Sequence, residues 1–242
     1  MTLHVAIAGA GGRMGQALIE ATLDADDLTL AGALDVPRSP AIGADAGDRC
    51  GRSTGVHVVS DVDDVVRVAD VLIDFTRPAG TLAHLAACAH AGVAAVVGTT
   101  GFDDAAKAEI ARRAKSIPIV FAPNMSVGVN VLAALVERAA RLLGPAFDIE
   151  LVEMHHRHKI DAPSGTALAL GEAAAAGAGI ALAEHAVYAR EGVTGERIEL
   201  THRATSRRNF ATGALRAARF VGAKRSAGES GLYDMAAVLG LR

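Results

Sequence analysis

Apolar and polar positions are arranged in blocks along the first half of the chain. Short runs rich in Val, Ile, Leu and Ala, at Leu3 to Ala8, Leu28 to Leu34, Val56 to Val59, Val71 to Phe75, Ala94 to Val97 and Ile117 to Phe121, are separated by helix-length segments. Alternation at that spacing predicts βαβ units and a parallel sheet, and the continuously apolar runs suit strands covered on both faces. In the first intervening segment Met14, Ala17, Leu18 and Ala21 fall at i, i+3, i+4 and i+7, which gives a helix with a core-facing stripe. After Asn124 the pattern changes. A long amphipathic helix is predicted over about Val127 to Leu143, closed by Gly144-Pro145, and the alternating runs Asp148 to Glu153 and Ile198 to His202 read as strands of an antiparallel sheet with one wetter face. The tail, from about Thr212 to Val221 and again from Tyr233 to Leu239, is helical in pattern.

Composition narrows the class. In 242 residues, 51% are hydrophobic, with 26 Gly, 7 Pro and no Trp, which excludes collagen-like repeats and extended disorder. No apolar stretch approaches the ~18 residues of a membrane helix, and the opening Met1-Thr2-Leu3-His4-Val5 has no basic leader, so a soluble cytoplasmic protein is expected. Cys50 and Cys88 are far apart and neither belongs to a CxxC pair, which disfavours a disulfide framework. A net charge of -3 gives no global reason to bind nucleic acid or an acidic membrane, so any anion site must be local.

One such site is a glycine loop. Leu3 to Ala8 runs into Gly9-Ala10-Gly11-Gly12-Arg13-Met14-Gly15, which opens the first helix. Missing side chains let a diphosphate approach the backbone, and the helix end offers free N–H groups and a positive dipole. The spacing is GxxGxxG through Gly9, Gly12 and Gly15, and the loop alone would also serve as a tight βα turn. Asp35, at the end of the second strand and twenty positions after Gly15, is placed to accept hydrogen bonds from an adenosine ribose diol. It would repel a 2′-phosphate, Val36 brings no compensating cation, and Arg13 and Arg38 are near enough to supply one, so NADH is favoured with NADPH still open. Three more strands end in polar or small motifs: Asp74-Phe75-Thr76-Arg77-Pro78, Gly98-Thr99-Thr100-Gly101 and Ala122-Pro123-Asn124-Met125-Ser126. In a doubly wound sheet all would line one crevice, with Gly98 to Thr100 beside the nicotinamide.

The second local site is basic. Glu153-Met154-His155-His156-Arg157-His158-Lys159-Ile160-Asp161-Ala162-Pro163-Ser164-Gly165-Thr166-Ala167 leaves a strand, crosses a cationic loop and enters a helix at Ser164-Gly165-Thr166. Ser164 and Thr166 read as caps, but free N–H groups at that end also bind carboxylates, and together with the loop they describe a pocket for a small polyanion. Adjacent imidazoles without helical spacing or a nearby Cys do not favour a metal. A solvated basic face is the simpler alternative. His and Lys supply the charge neutralisation and proton that a hydride acceptor bearing carboxylates requires. A dinucleotide-sensing regulator or an amino-acid dehydrogenase would share the first domain and differ in this pocket.

These segments resemble the dihydrodipicolinate reductase family of lysine and diaminopimelate synthesis, through GAGGRMG (Gly9 to Gly15), DFTRP (Asp74 to Pro78), GTTGF (Gly98 to Phe102), NMSVGVN (Asn124 to Asn130), EMHHRHKIDAPSGTA (Glu153 to Ala167), YAREGVTG (Tyr188 to Gly195) and ESGLYDM (Glu229 to Met235). The resemblance implies an α/β fold: a doubly wound Rossmann-type sheet over 1–126, a smaller α+β substrate and oligomerisation domain with a mainly antiparallel sheet over 127–208, and a segment 209–242 returning to the first domain, with hinges near Ser126 and Arg208. It implies that Gly9, Ala10, Gly11, Gly12, Arg13, Met14, Asp35, Gly98, Thr99, Thr100, Ala122, Pro123, Asn124 and Met125 bind NADH or NADPH, that His155 and Lys159 handle protons, and that His156, Gly165 and Thr166 hold substrate carboxylates. The implied reaction is hydride transfer to C4 of a small cyclic dicarboxylate, giving tetrahydrodipicolinate, in a homotetramer. Two positions depart from the family pattern. Val36 stands where relatives often carry Arg, and Val193 to Arg197 runs directly into Ile198 to His202 where relatives carry a further strand-rich segment.

Overall fold

The computed structural model describes residues 2–144, 147–153, 163–187 and 206–241. It divides into two compact units, one made of Met1–Val127 with Thr205–Gly240 and the other of Gly128–Ala204.

The first unit is a parallel sheet wrapped by helices. In chain order it contains β1 (Leu3–Ala8), α1 (Arg13–Leu23), β2 (Leu28–Leu34), a short 3-10 turn (Asp48–Cys50), β3 (Val58–Val59), α2 (Val62–Val66), β4 (Val71–Asp74), α3 (Pro78–Ala91), β5 (Ala94–Val97), α4 (Asp104–Arg113) and β6 (Pro118–Phe121). The strands stand in the order β3-β2-β1-β4-β5-β6, so the order reverses between β1 and β4, the place where doubly wound sheets bind ligands.

The strands run apolar throughout because both faces are covered. Val5, Ile7, Val71, Ile73, Ala94 and Val96 point to one side, and Ala6, Ala8, Leu72, Ala95 and Val97 to the other, all within 1% exposure. Strand periodicity thus divides single strands between two hydrophobic layers. Ser/Asp capping fixes the helix starts where the sequence supplies it: the Asp61 side chain accepts from Asp63 N–H in α2 and the Asp103 side chain from Ala106 N–H in α4.

The second unit opens with α5 (Val127–Leu143), the helix predicted over those residues, followed by α6 (Gly165–Ala178) and α7 (Leu182–His185). Gly177 sets how closely α6 approaches α5, since an added Cβ would overlap the Glu137 carbonyl oxygen. The predicted strand at Asp148 to Glu153 carries no strand pairing among the described residues. A strand exists only through its ladder partner, and the run expected beside it, Ile198 to His202, lies outside the described residues.

The chain then returns to the first unit as α8 (Arg208–Ser226), β7 (Gly231–Tyr233) and α9 (Met235–Leu239). α8 buries Ala211, Gly213, Ala214, Leu215, Ala217, Ala218, Val221 and Gly222. This small-residue stripe brings the helix close to the sheet and α1, and ion pairs Arg219–Asp27 and Arg225–Asp70 fasten its far end. The segment read as a second tail helix from Tyr233 divides: Gly231–Tyr233 pairs parallel with β6 as a seventh strand, and the helix starts at Met235, capped by the Asp234 side chain. No helix of the described residues is long and apolar enough to cross a membrane.

Candidate active site

The register of the sheet aligns its carboxyl ends. Ala8 lies opposite Leu34 and Asp74, Asp74 opposite Val97, and Val97 opposite Phe121. The next residues, Gly9, Asp35, Phe75, Gly98 and Ala122, therefore leave the sheet along one edge. All the predicted cofactor segments of the first unit open onto that edge.

The glycine loop is built for backbone approach. Gly9 has φ +75°, in the left-handed region that other residues enter at a cost. A Cβ at Gly15 would overlap the Gly9 carbonyl oxygen, so this glycine lets α1 start directly against the turn. Gly12 is the N-cap of α1 with no side-chain cap, which leaves first-turn N–H groups for an anion. Gln16 Nε2 donates to the Ala10 carbonyl at 2.7 Å and Arg49 Nη1 to the Gly11 carbonyl at 2.7 Å, holding the loop from both sides.

Asp35 is already joined to this loop. Its Oδ2 accepts from Gly11 N–H at 2.8 Å and from the Ser39 hydroxyl at 3.0 Å, and its Oδ1 from Val36 N–H at 2.8 Å. A Cβ at Gly11 would stand 2.6 Å from that carboxylate. Gly11 is glycine because the acidic partner sits against it.

On the other side of the switch point, Asp74 is 2% exposed and its carboxyl oxygens are enclosed by polar groups. Oδ1 accepts from Thr76 N–H at 2.9 Å, the Thr76 hydroxyl at 2.7 Å and the Thr99 hydroxyl at 3.3 Å; Oδ2 is 2.8 Å from His84 Nδ1. The Thr81 hydroxyl donates to Thr99 Oγ1 at 2.9 Å, and Thr76 N–H also reaches Thr99 Oγ1 at 2.9 Å. Among the described residues no buried side-chain N or O atom lacks a partner. Gly98 is explained by its neighbour, since a Cβ there would overlap the Phe75 ring. Ala122 and Met125 are buried, and Ser126 N–H donates to Asn124 Oδ1 at 2.9 Å, a local turn that fixes the Ala122 to Met125 segment.

The sequence reading missed His84, Thr81 and Arg49. The signal for the first two was present: Thr81 and His84 are polar residues at i, i+3 inside the apolar run Thr81-Leu82-Ala83-His84-Leu85-Ala86-Ala87-Cys88. Thr81, Leu85 and Cys88 are buried on the same face of α3, so that stripe places a histidine against the sheet. Burial pushes the Cys88 thiol up to about 12, with the Asp74 charge adding to it.

In the second unit, Ser164 caps α6 as predicted, its Oγ accepting from Ala167 N–H at 3.0 Å. Its own N–H donates to Glu153 Oε1 at 2.8 Å. That bond ties together the two ends of the basic segment. Gly165 is exposed and a Cβ there would meet nothing within 4 Å, so its glycine is not demanded by packing. His155, His156 and Lys159 lie outside the described residues.

Two family models cover nearly the whole chain. One described as dihydrodipicolinate reductase, N-terminus, matches residues 3–125, and one described as dihydrodipicolinate reductase, C-terminus, matches residues 128–239. The chain belongs to the dihydrodipicolinate reductase family. A 4-hydroxy-tetrahydrodipicolinate reductase of Cupriavidus metallidurans is 52% identical over 269 residues, covering 99% of this chain and 100% of the relative. The enzyme of that name from Dechloromonas aromatica is 51% identical over 268 residues, covering 99% of this chain and 98% of the relative. These aligned lengths exceed the 242 residues of this family member, so its relatives carry residues that it lacks. A solved dihydrodipicolinate reductase from Paenisporosarcina sp. TG-14, bound to dipicolinate, shares the fold with a TM-score of 0.73 at 23% identity, covering 97% of this chain and 98% of that one. As a member of this family the chain is an NAD(P)H-dependent reductase of the diaminopimelate route to lysine.

Proposed function

We propose how this chain divides that reaction among its residues. Residues 1–126 hold the cofactor, 127–208 hold the substrate and build the oligomer, and 209–242 complete the first domain. The observation that carries the cofactor assignment is the aligned row of strand ends, with an uncapped helix start at Gly12 and a carboxylate, Asp35, bonded to the same loop. Gly9, Ala10, Gly11, Gly12, Arg13 and Met14 cradle the diphosphate, and Asp35 takes the ribose diol. Gly98, Thr99, Thr100, Ala122, Pro123, Asn124 and Met125 line the nicotinamide side. When bound, the reduced nicotinamide supplies a hydride.

The substrate is a small cyclic dicarboxylate, formed by loss of water from its hydroxylated precursor. Its carboxylates bind His156, Gly165 and Thr166 at the start of α6. The dipicolinate carried by the structural relative is a planar ring of this class. The open space at Gly165 and the closure of the basic segment through Glu153 and Ser164 support that placement. Hydride arrives at ring C4, and His155 and Lys159 neutralise and protonate the resulting charge. The second domain carries a mainly antiparallel sheet, and the protein works as a homotetramer in the cytoplasm.

The test is the oxidation of NADH and NADPH followed at 340 nm, with substrate supplied by the preceding enzyme. His155→Ala together with Lys159→Ala abolishes turnover while leaving NADH affinity nearly intact. Turnover equal to the parent enzyme in that double variant would overturn the proton assignment.

A further inference from the structure

The cofactor edge contains a buried polar network of which the assignment above uses only Thr99. Asp74, Thr81 and Thr99 are each at most 3% exposed, and His84 closes the network with its side chain 18% exposed. Its hydrogens are directed one way. The hydroxyls of Thr76 and Thr99 and the Thr76 N–H all donate to Asp74 Oδ1, Thr81 donates to Thr99, and His84 Nδ1 faces Asp74 Oδ2. Asp74 Oδ1 is thus enclosed by donors, and its second oxygen lies 2.8 Å from the imidazole Nδ1.

A carboxyl group this deep is tolerated only when its oxygens find hydrogen-bond partners. What it holds together gives the network its role. Asp74 ends β4, Thr76 lies in the following loop, Thr99 follows β5, and Thr81 and His84 stand on the first two turns of α3. Core packing needs none of these groups to be polar, because the apolar layer beneath is already continuous through Leu72, Leu85, Cys88, Ala95 and Val97. The bonds instead pin the two loops that leave the sheet on the nicotinamide side of the switch point.

We propose that the Asp74–His84 pair, acting through Thr76, Thr81 and Thr99, is the positioning device that presets the Gly98 to Thr100 backbone for the nicotinamide half of the cofactor. His84 is a positioning residue: it holds Asp74 Oδ2 at 2.8 Å, and Asp74 in turn fixes Thr99. The inference rests on the reading that the nicotinamide lies beside Gly98 to Thr100. It predicts a selective defect. Disturbing the network weakens NADH, which carries the nicotinamide, and spares ADP-ribose, which stops short of it.

The experiment measures NADH binding by its own fluorescence and ADP-ribose by displacement, on the full-length enzyme, with KM for the dicarboxylate and thermal unfolding recorded beside them. His84→Leu removes the donor and leaves one carboxylate oxygen unpaired, whereas His84→Asn places an amide N–H where Nδ1 was. For His84→Leu the NADH Kd rises about tenfold, the size expected for a lost hydrogen bond to a buried carboxyl group. ADP-ribose and the dicarboxylate KM stay within about twofold, and His84→Asn restores NADH binding. Thr99→Val, which keeps the side-chain shape and removes the hydroxyl, reproduces the defect and decides the matter if His84→Leu does not fold. An equal loss of NADH and ADP-ribose, or no loss of either, would show that the network serves only the stability of the fold and would overturn the proposal. Thr100→Pro, which removes the backbone N–H of that residue, examines the underlying reading separately: if it leaves the NADH to ADP-ribose ratio unchanged, the nicotinamide is not beside this loop, whatever His84 does.

Discussion

Replacing Asp35 by Asn should move the enzyme from NADH towards NADPH, and the structure sets the size of the shift. Asn is the informative substitution because its carbonyl oxygen keeps an acceptor for Gly11 N–H, now 2.8 Å from Oδ2, and for the Ser39 hydroxyl at 3.0 Å. The one local conflict is between the new NH2 and Val36 N–H, which now donates to Oδ1 at 2.8 Å on the exposed side of the loop. The loop therefore stays built and only the charge is lost. A 2′-phosphate carries nearly two negative charges. At about 4 Å from a carboxylate each charge is repelled by about 1 kcal/mol in bulk water, and by more where solvent is displaced. NADH meanwhile gives up a charge-assisted hydrogen bond to the ribose diol, about 1.5 kcal/mol. After salt screening, we expect the ratio of NADPH Kd to NADH Kd to fall by about 30-fold. Titration of each coenzyme into the full-length protein at 0.1 M salt measures both constants. A ratio that moves by less than about threefold would mean that Asp35 does not face the ribose.

Three further outcomes follow from the packing and titration of the first unit. Gly213→Ala puts a methyl onto the Met125 carbonyl oxygen; it should cost about 1–3 kcal/mol and lower the calorimetric transition of the unit by several degrees, and an unshifted transition would contradict the close approach of α8. Cys88 is fully buried, with its thiol raised to about 12 by burial and then by the Asp74 charge. An aromatic disulfide reagent at pH 8 should therefore titrate the partly exposed Cys50 in the native protein and Cys88 only after denaturation, and rapid reaction of both would refute the burial. Asp45 is held well below the ordinary carboxylate value of 3.8, first by the Thr54 hydroxyl and then by backbone N–H groups of Gly47, Gly55 and Thr54. Its folded-state pKa is depressed, so its contribution is complete above the unfolded value and is lost as pH falls below it. Asp45→Asn should flatten the acid limb of thermal stability below about pH 4 and leave its slope near pH 7 unchanged.

The legible parts of the sequence were those whose evidence is local. A helix announces itself through spacing, and α5 was predicted with the bounds it has because seventeen residues of amphipathic pattern end at Gly144. The glycine loop and Asp35 were equally visible, since a tight turn, a helix start and an acid at a strand end are each short-range features. β7 was not visible. Gly231–Tyr233 is three residues long with no alternation, and it is a strand only because the edge of β6 lies beside it. The same limit applies to the run at 148–153, whose alternation is a necessary condition for a strand and not a sufficient one.

The site divides along the same line. Glycines the loop's backbone requires, such as Gly9 with its positive φ and Gly15 against the Gly9 carbonyl oxygen, betray themselves because a side chain there would be strained or would overlap the main chain. Residues that act through a side chain reaching across elements do not. Asp74 and His84 are ten positions apart on a strand and a helix, and Asp74 was read only as part of a strand-end motif, while His84, within an Ala-rich helix, drew no reading. What would have joined them is an accounting argument available before any coordinates: a strand of Val71-Leu72-Ile73 covered on both faces must bury the Asp that follows it, and a buried carboxylate requires donors. The nearest polar residues on the helix that covers it are those at the spacing of its core stripe, Thr81 and His84. Buried charge, traced to the groups able to satisfy it, thus points across elements where hydrophobic periodicity points only along them, and it is the step by which sequence reading can be extended from folds to sites.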